Sequence, residues 1–189
     1  MKNEKGLTLV EVLAAITIST VVLGVAFMLL SATNQLSRNN ELKFDNDAEI
    51  RRTMDTIAEY VSDSNQAYVA GANELRFISY AFGEAQKKSL VYNPATQTLT
   101  LFTFNSANLT DYANPSNTSV YEGGMVLSTN AASLALRKIN GTALLAGTNL
   151  IGGSTLKIGV TFNQSKATVS GITASTAVFK ETSFKLLQY

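Results

Sequence analysis

Chemistry in this chain starts from one carboxylate in an apolar setting. Glu11 is the only ionisable residue in the 24-residue run LTLVEVLAAITISTVVLGVAFMLL, residues 7–30, which follows the short charged leader MKNEKG. Placing a carboxylate at the centre of a membrane-spanning helix costs on the order of 3 kcal/mol on insertion scales, so such an acid needs a partner and marks a functional position. A partner lies within one helical turn. Cleavage of the chain after Gly6 would make Leu7 a new N-terminus whose positive amine sits four residues from Glu11. The pair can close within one chain or between neighbouring chains stacked with a small axial offset. In the second case Glu11 is a registration device.

The other reactive groups do not converge. Asp111, Glu122, Lys138 and Lys157 are scattered over strands and loops, where charged residues ordinarily face solvent. The chain has no histidine and no cysteine. That removes the commonest general base and metal ligand, together with disulfides and thiolate metal sites. Oxygen-rich stretches that could hold calcium occur only at Asp63-Ser64-Asn65 and at residues 108–114, and both read as structural or solvated. Tyr112, Tyr121 and Tyr189 are candidates for partner contact, though aromatics in β domains are mostly core. The expectation is a chain that is not an enzyme, with no catalytic residue, no metal and no cofactor. Formal net charge is +1, and without Lys2, Glu4 and Lys5 the chain carries 13 basic and 13 acidic residues. No basic field for nucleic acid follows from that balance.

The element that must position Glu11 is a helix. At about 1.5 Å per residue, residues 7–30 span roughly 36 Å, enough to cross a hydrocarbon core of about 30 Å. A secretory signal would have a shorter apolar region and a small-residue cleavage site after it; here the run begins at the glycine. A lipoprotein would need a cysteine. Lys2 and Lys5 before the span nearly balance Arg38 and Lys43 after it, so the short N-terminal side and the large polar C-terminal part decide for N-in, C-out. Beyond the span, Ile50, Met54, Ile57 and Val61 form an apolar stripe at helical period. Asp47 with Arg51, and Glu49 with Arg52, have helix-supporting spacings. Residues 37–47 read as helix bridging membrane and head, with a break near Arg38-Asn39-Asn40 as the lesser alternative.

After Gly71 the period becomes two. Leu75 and Phe77 alternate with Arg76 and Ile78. The Asn93-Pro94 turn joins a strand ending at Val91-Tyr92 to a strand over residues 98–104. Residues 119–127 form a strand with a bulge at Gly123-Gly124. Residues 133–139 lead into Asn140-Gly141, a tight-hairpin dipeptide. Residues 156–162 and 166–172 flank a polar turn, and residues 177–187 form the last strand. Residues 105–118, with Pro115, are a loop long enough to be functional. The fold expected is α+β, a long helix whose apolar stripe packs on an antiparallel β-sheet head. Its divisions are a leader at 1–6, a transmembrane helix at 7–36, an amphipathic helix at 37–70 and an antiparallel β domain at 71–189.

Lys5-Gly6, then Leu7-Thr8-Leu9-Val10-Glu11 and the apolar run, resemble the class III signal sequence of type IV pilins and pseudopilins. The resemblance implies cleavage after Gly6 by a prepilin peptidase, methylation of the Leu7 amine by the same enzyme, and alignment of subunits in a helical filament by Glu11. Leu7 departs from the phenylalanine most common after the cut, and the proline many pilins carry along this helix is missing. The order of the head, its EIRRTMDTIAEYVSDS helix and its VYNPATQTLTLF hairpin are most similar to larger minor pilins, such as the J-type pseudopilins and their competence counterparts. By that resemblance the chain is a structural subunit that initiates or caps a pilus, a secretion pseudopilus or a DNA-uptake pilus. Its partners would be the peptidase and methylase, other pilins or pseudopilins, the inner-membrane assembly platform, and lipid before assembly. It would sit in the cell membrane as a single-pass protein, then in an extracellular or periplasmic filament. The alternative is a membrane-tethered β-rich binding or enzymatic domain that uses the leader only for insertion.

Overall fold

One helix carries the chain from the apolar run into the head without a break. The structure, a computed structural model, describes residues 8–80, 85–104, 121–167 and 173–188. Helix α1 covers Leu9–Ser62, 54 residues, or roughly 80 Å of rise. Among the described residues it is the helix long and apolar enough to cross a membrane, and its most apolar window is wholly exposed. The hydroxyls of Thr20 and Thr33 bond back to the carbonyls of Thr17 and Leu29 at 2.8 Å each. These hydroxyls are thereby satisfied by the helix's own backbone, as lipid requires. The helix runs uninterrupted through Arg38-Asn39-Asn40, against the lesser alternative of a break there.

α1 ends at Ser62, so the expected helix over residues 37–70 is eight residues too long. Asp63 caps it with non-helical dihedrals, Ser64 Oγ donates to the Tyr60 carbonyl at 2.9 Å, and the Tyr80 N–H donates to the Asp63 carbonyl at 3.0 Å. These bonds give the backbone an alternative to further helix, and Ser64–Gly71 becomes strand β1. The head follows as β2 (Glu74–Ser79), β3 (Gln86–Asn93), β4 (Thr98–Phe104), β5 (Tyr121–Ser128), β6 (Ala131–Lys138), β7 (Asn149–Ile151), β8 (Thr155–Ala167) and β9 (Thr173–Lys185). Six strands form one antiparallel sheet in the order β5-β4-β3-β2-β1-β7, and three form a second in the order β6-β8-β9. This is the expected α+β architecture, one long helix followed by antiparallel sheets.

Alternation sorts each strand into two faces. Val69, Leu75, Phe77, Leu90, Leu99 and Leu101 form the buried inner face of the larger sheet. Leu134, Leu136, Leu156, Ile158, Val160 and Phe162 face them from the smaller sheet, and Ile50, Ile57 and Val61 of α1 close the same cluster. Met54 is only partly buried; the fourth buried helix position is Thr53, whose hydroxyl donates to the Leu127 carbonyl at 2.7 Å.

The expected β3–β4 hairpin forms, with Asn93 opposite Thr98 and the Asn93 side chain accepting the Ala95 N–H at 3.0 Å. Gly123, at φ 59°, is the expected bulge: pairing of β4 with β5 shifts between Phe102 and Thr103 at this point. The tight turn at Asn140-Gly141 forms, with the Lys138 N–H on the Thr142 carbonyl at 2.8 Å and a bridge from Arg137 to Ala143, but the returning chain is not a strand and β6 pairs with β8. One expectation fails. The polar stretch Asn163-Gln164-Ser165 is not a turn. It lies inside β8, paired in register with Ala177, Thr176 and Ser175. The side chains of Asn163 and Gln164 find partners there: Gln164 donates to Asp47 at 3.1 Å and Asn163 to Gln97 at 3.4 Å. The loop expected over residues 105–118 lies outside the described residues.

Candidate functional site

The first turn of α1 is a reciprocal cap built on Thr8 and Glu11. The Thr8 N–H donates to Glu11 Oε2 at 2.9 Å, and the Thr8 hydroxyl donates to the same oxygen at 3.2 Å. In return the Glu11 N–H donates to Thr8 Oγ1 at 3.3 Å. This capping box satisfies donors that the start of a helix otherwise leaves open. It also places a carboxylate at the positive end of the helix dipole, where negative charge is favoured. Both side-chain contacts use Oε2, which leaves Oε1 for a further cation. Gly6 and Leu7, the expected cleavage and methylation residues, lie outside the described residues. The sequence carried a signal for Thr8, the T-x-x-E spacing ahead of an apolar run, which a search for charges alone passes over.

In the head the structure gathers a polar cluster that the sequence did not suggest. Arg76, on β2, is fully buried and its Nε lies 2.6 Å from Glu74 Oε1. Ser89 Oγ donates to the same carboxylate oxygen at 3.0 Å, and the Tyr121 hydroxyl also donates to it. Cross-strand register explains the gathering, since Arg76 opposes Ser89, Ser89 opposes Phe102, and Phe102 opposes Gly124. Phe102 stacks on Tyr121 at 4.8 Å, and the Arg76 guanidinium lies over the Phe104 ring at 5.4 Å. Burial works against the guanidinium's charge, but the hydrogen bond and charge of Glu74 outweigh it and raise the Arg76 pKa above its ordinary value. Burial, then the bond to Glu74, pushes the Tyr121 phenol up. The spacing of Glu74 and Arg76, two apart on one strand face, was the available signal.

Lys88 is a second buried cation. Its Nζ donates to Thr103 Oγ1 at 2.9 Å and sits 5.0 Å from the centre of the Tyr60 ring. Burial lowers its pKa below the usual lysine value.

The remaining sequence candidates stay apart. Lys157 pairs with Glu181 at 3.4 Å, Lys138 is exposed, and Asp111, Tyr112 and Tyr189 lie outside the described residues, as does the side chain of Glu122. Asp63-Ser64-Asn65 serves the end of α1 and the start of β1, with Asn65 donating to the Tyr80 hydroxyl at 3.3 Å. Among the described residues, no three acidic side chains come together as a cation site. Asp47 and Glu49 do not turn to Arg51 and Arg52 as their spacing suggested. Glu49 accepts from Ser128 at 2.6 Å and Asn130 at 3.0 Å, because the β5–β6 turn comes within its reach.

An apolar helix that begins on a capped acid and ends under a β head is consistent with the α+β pilin fold and supports anchoring in a membrane through the N-terminal helix. The family described as the prokaryotic N-terminal methylation motif matches residues 1–27. That motif, the prepilin-type signal, supports a likeness to type IV pilins and pseudopilins over this N-terminal stretch. The motif implies processing by a prepilin peptidase and assembly with other pilins. No curated protein and no solved structure matches the chain.

Proposed function

We propose that the chain is a minor pilin or pseudopilin, a structural subunit that initiates or caps a type IV pilus-like filament. The observation that carries this reading is Glu11 at the capped first turn of a 54-residue helix, inside a matched methylation motif. In this reading a prepilin peptidase cuts after Gly6 and methylates the Leu7 amine. Before assembly the Thr8 cap partly satisfies the carboxylate in lipid. On assembly its free oxygen takes the amine of a neighbouring subunit, so the desolvated charge is fully matched only in the correct axial register. The N-terminus lies on the cytoplasmic side and the head outside. A separate motor ATPase supplies the work, and this chain performs no chemistry.

The test is biochemical fractionation in the native host. Sheared surface filaments, or the isolated pseudopilus, should contain the processed chain in small amounts relative to the major subunit. Recovery of the chain only from the membrane, with filaments complete without it, would sink the reading.

A further inference from the structure

We propose that the outer face of the smaller sheet docks on the outward side of α1 in a second copy of this chain, so that copies stand side by side in one orientation. The inference goes beyond the filament reading, because it needs the membrane anchor and the head but no other subunit.

The overall charge balance conceals a segregation. Strands β6, β8 and β9 carry six basic residues, Arg137, Lys138, Lys157, Lys166, Lys180 and Lys185, against a single acid, Glu181. Register places Arg137 opposite Lys157, Lys157 opposite Ser183 and Thr155 opposite Lys185. Leu156 and Ile158 are buried in the core, so by alternation Arg137, Lys157 and Lys185 share the outer face. Glu181 lies 3.9 Å from Arg137 and 3.4 Å from Lys157, one carboxylate between two cations, which leaves an excess of positive charge. The same face is flat. Gly159 lets the Phe179 ring lie across β8, where a Cβ would stand 2.5 Å from Cζ, and the Arg137 guanidinium lies 5.7 Å from the ring centre. Phe179 stays 48% exposed, an apolar centre among charges.

The complementary surface is on α1. Ile50, Thr53, Ile57 and Val61 are its buried side. On the opposite side Glu41, Asp45, Asp55 and Glu59 recur at helical period, all exposed, in a stripe broken by Arg52. The helix packs on the inner side of β8 and β9, with Ile50 and Phe162 in one buried cluster. Its outward side and the outer face of the sheet therefore look in opposite directions. Opposite charges on opposite sides do not meet within one chain. They meet between copies held by the same helix in one membrane, where every head has the same orientation. An acidic protein of another kind, or an anionic polymer, would satisfy the basic face and leave the acidic stripe unused; a second copy satisfies both. Such a contact is heterologous and can continue as a row. Exposed ion pairs contribute little singly and are screened by salt, so the contact depends on several acting together and on confinement in the membrane.

Two differently tagged full-length copies, co-expressed in the native host and extracted in mild detergent at low salt, provide the test. Wild-type copies should co-purify, and less so as salt is raised. Lys157→Glu/Lys185→Glu turns the outer face of the sheet acidic, and Asp55→Lys/Glu59→Lys turns the upper part of the helix stripe basic. Each variant should lose co-purification with its own kind by about tenfold, since like charges then face each other. Mixed together, the two variants should recover it, a result that a misfolded head does not give. Wild-type copies that fail to co-purify, a variant that self-associates like wild type, or a mixture as poor as either variant alone would overturn the proposal. Nucleic acid or an unrelated acidic protein recovered on the basic face in place of a second copy would overturn it too. All of these readouts are made without filaments, so their failure leaves the filament reading to its own test.

Discussion

Thr8 and Glu11 hold each other across the first turn of α1, through three contacts of 2.9, 3.2 and 3.3 Å. The relationship gives the acid a partner in the lone chain without consuming it. The hydroxyl and the amide both contact Oε2, so Oε1 remains for a cation brought by a neighbour. In the proposed filament, capping and registration would be successive uses of one side chain.

Removing the acid should separate those uses. Glu11→Val is expected to insert and fold, since it replaces a charge in lipid by an apolar residue, while filament incorporation drops by about tenfold or more for the loss of a desolvated charge pair. Immunoblots of filament and membrane fractions measure both. Unchanged incorporation, with every partner present, would remove the assembly role.

Thr8→Ala should weaken the start of the helix by about 1 kcal/mol, the usual worth of an N-cap hydroxyl. Amide hydrogen exchange over residues 9–12 in detergent micelles would then accelerate roughly fivefold. Thr8→Ser should restore slow exchange. Equal exchange in all three proteins would mean the box is not formed.

The head's buried ion pair yields a stability prediction. Arg76→Met leaves the Glu74 carboxylate with Ser89 and Tyr121 as donors and no cation, and should cost about 3–5 kcal/mol. The double variant Glu74→Leu/Arg76→Met should recover much of that loss. Denaturant unfolding of the micelle-bound protein checks both, and an additive double variant would contradict the coupling.

Lys88 sets a pH dependence. Its folded pKa lies below the ordinary 10.5 because burial disfavours the charge. In the window between the folded and unfolded pKa values the unfolded chain binds more protons, so Lys88 makes stability rise with pH there. Lys88→Met should flatten that rise and leave stability near neutral pH little changed, because the lost bond to Thr103 is offset by removal of a buried charge. Thermal unfolding from pH 7 to 10.5 gives the comparison.

The helix, its core stripe and most strand positions were legible because each rests on local periodicity. Ile50, Ile57 and Val61 repeat at helical spacing, and Leu99 and Leu101 at strand spacing, whatever the rest of the chain does. What escaped depends on tertiary partners. Nothing local distinguishes Arg76 from a solvated strand arginine; it is buried because register brings Ser89 and Phe102 beside it and Tyr121 reaches Glu74. Asn163 and Gln164 look like a turn until Gln97 and Asp47 supply their hydrogen bonds. The end of α1 was missed for a related reason, since Ser64 stops the helix through its bond to Tyr60 and the continuation is decided by pairing with β2. In the candidate site, Glu11 announced itself by charge in an apolar run, whereas Thr8 required reading the capping spacing.

Gly6→Ala should leave an uncut precursor that migrates more slowly and stays in the membrane, because the peptidase would lose its cleavage residue. A normally processed product would contradict that assignment.

The most direct measurement is mass spectrometry of the first peptide of the protein isolated from its native host. The account predicts a terminus at Leu7 with a methylated amine. A mature protein that still begins MKNEKG would contradict it, since Glu11 would then have no cation exposed beside it in any subunit.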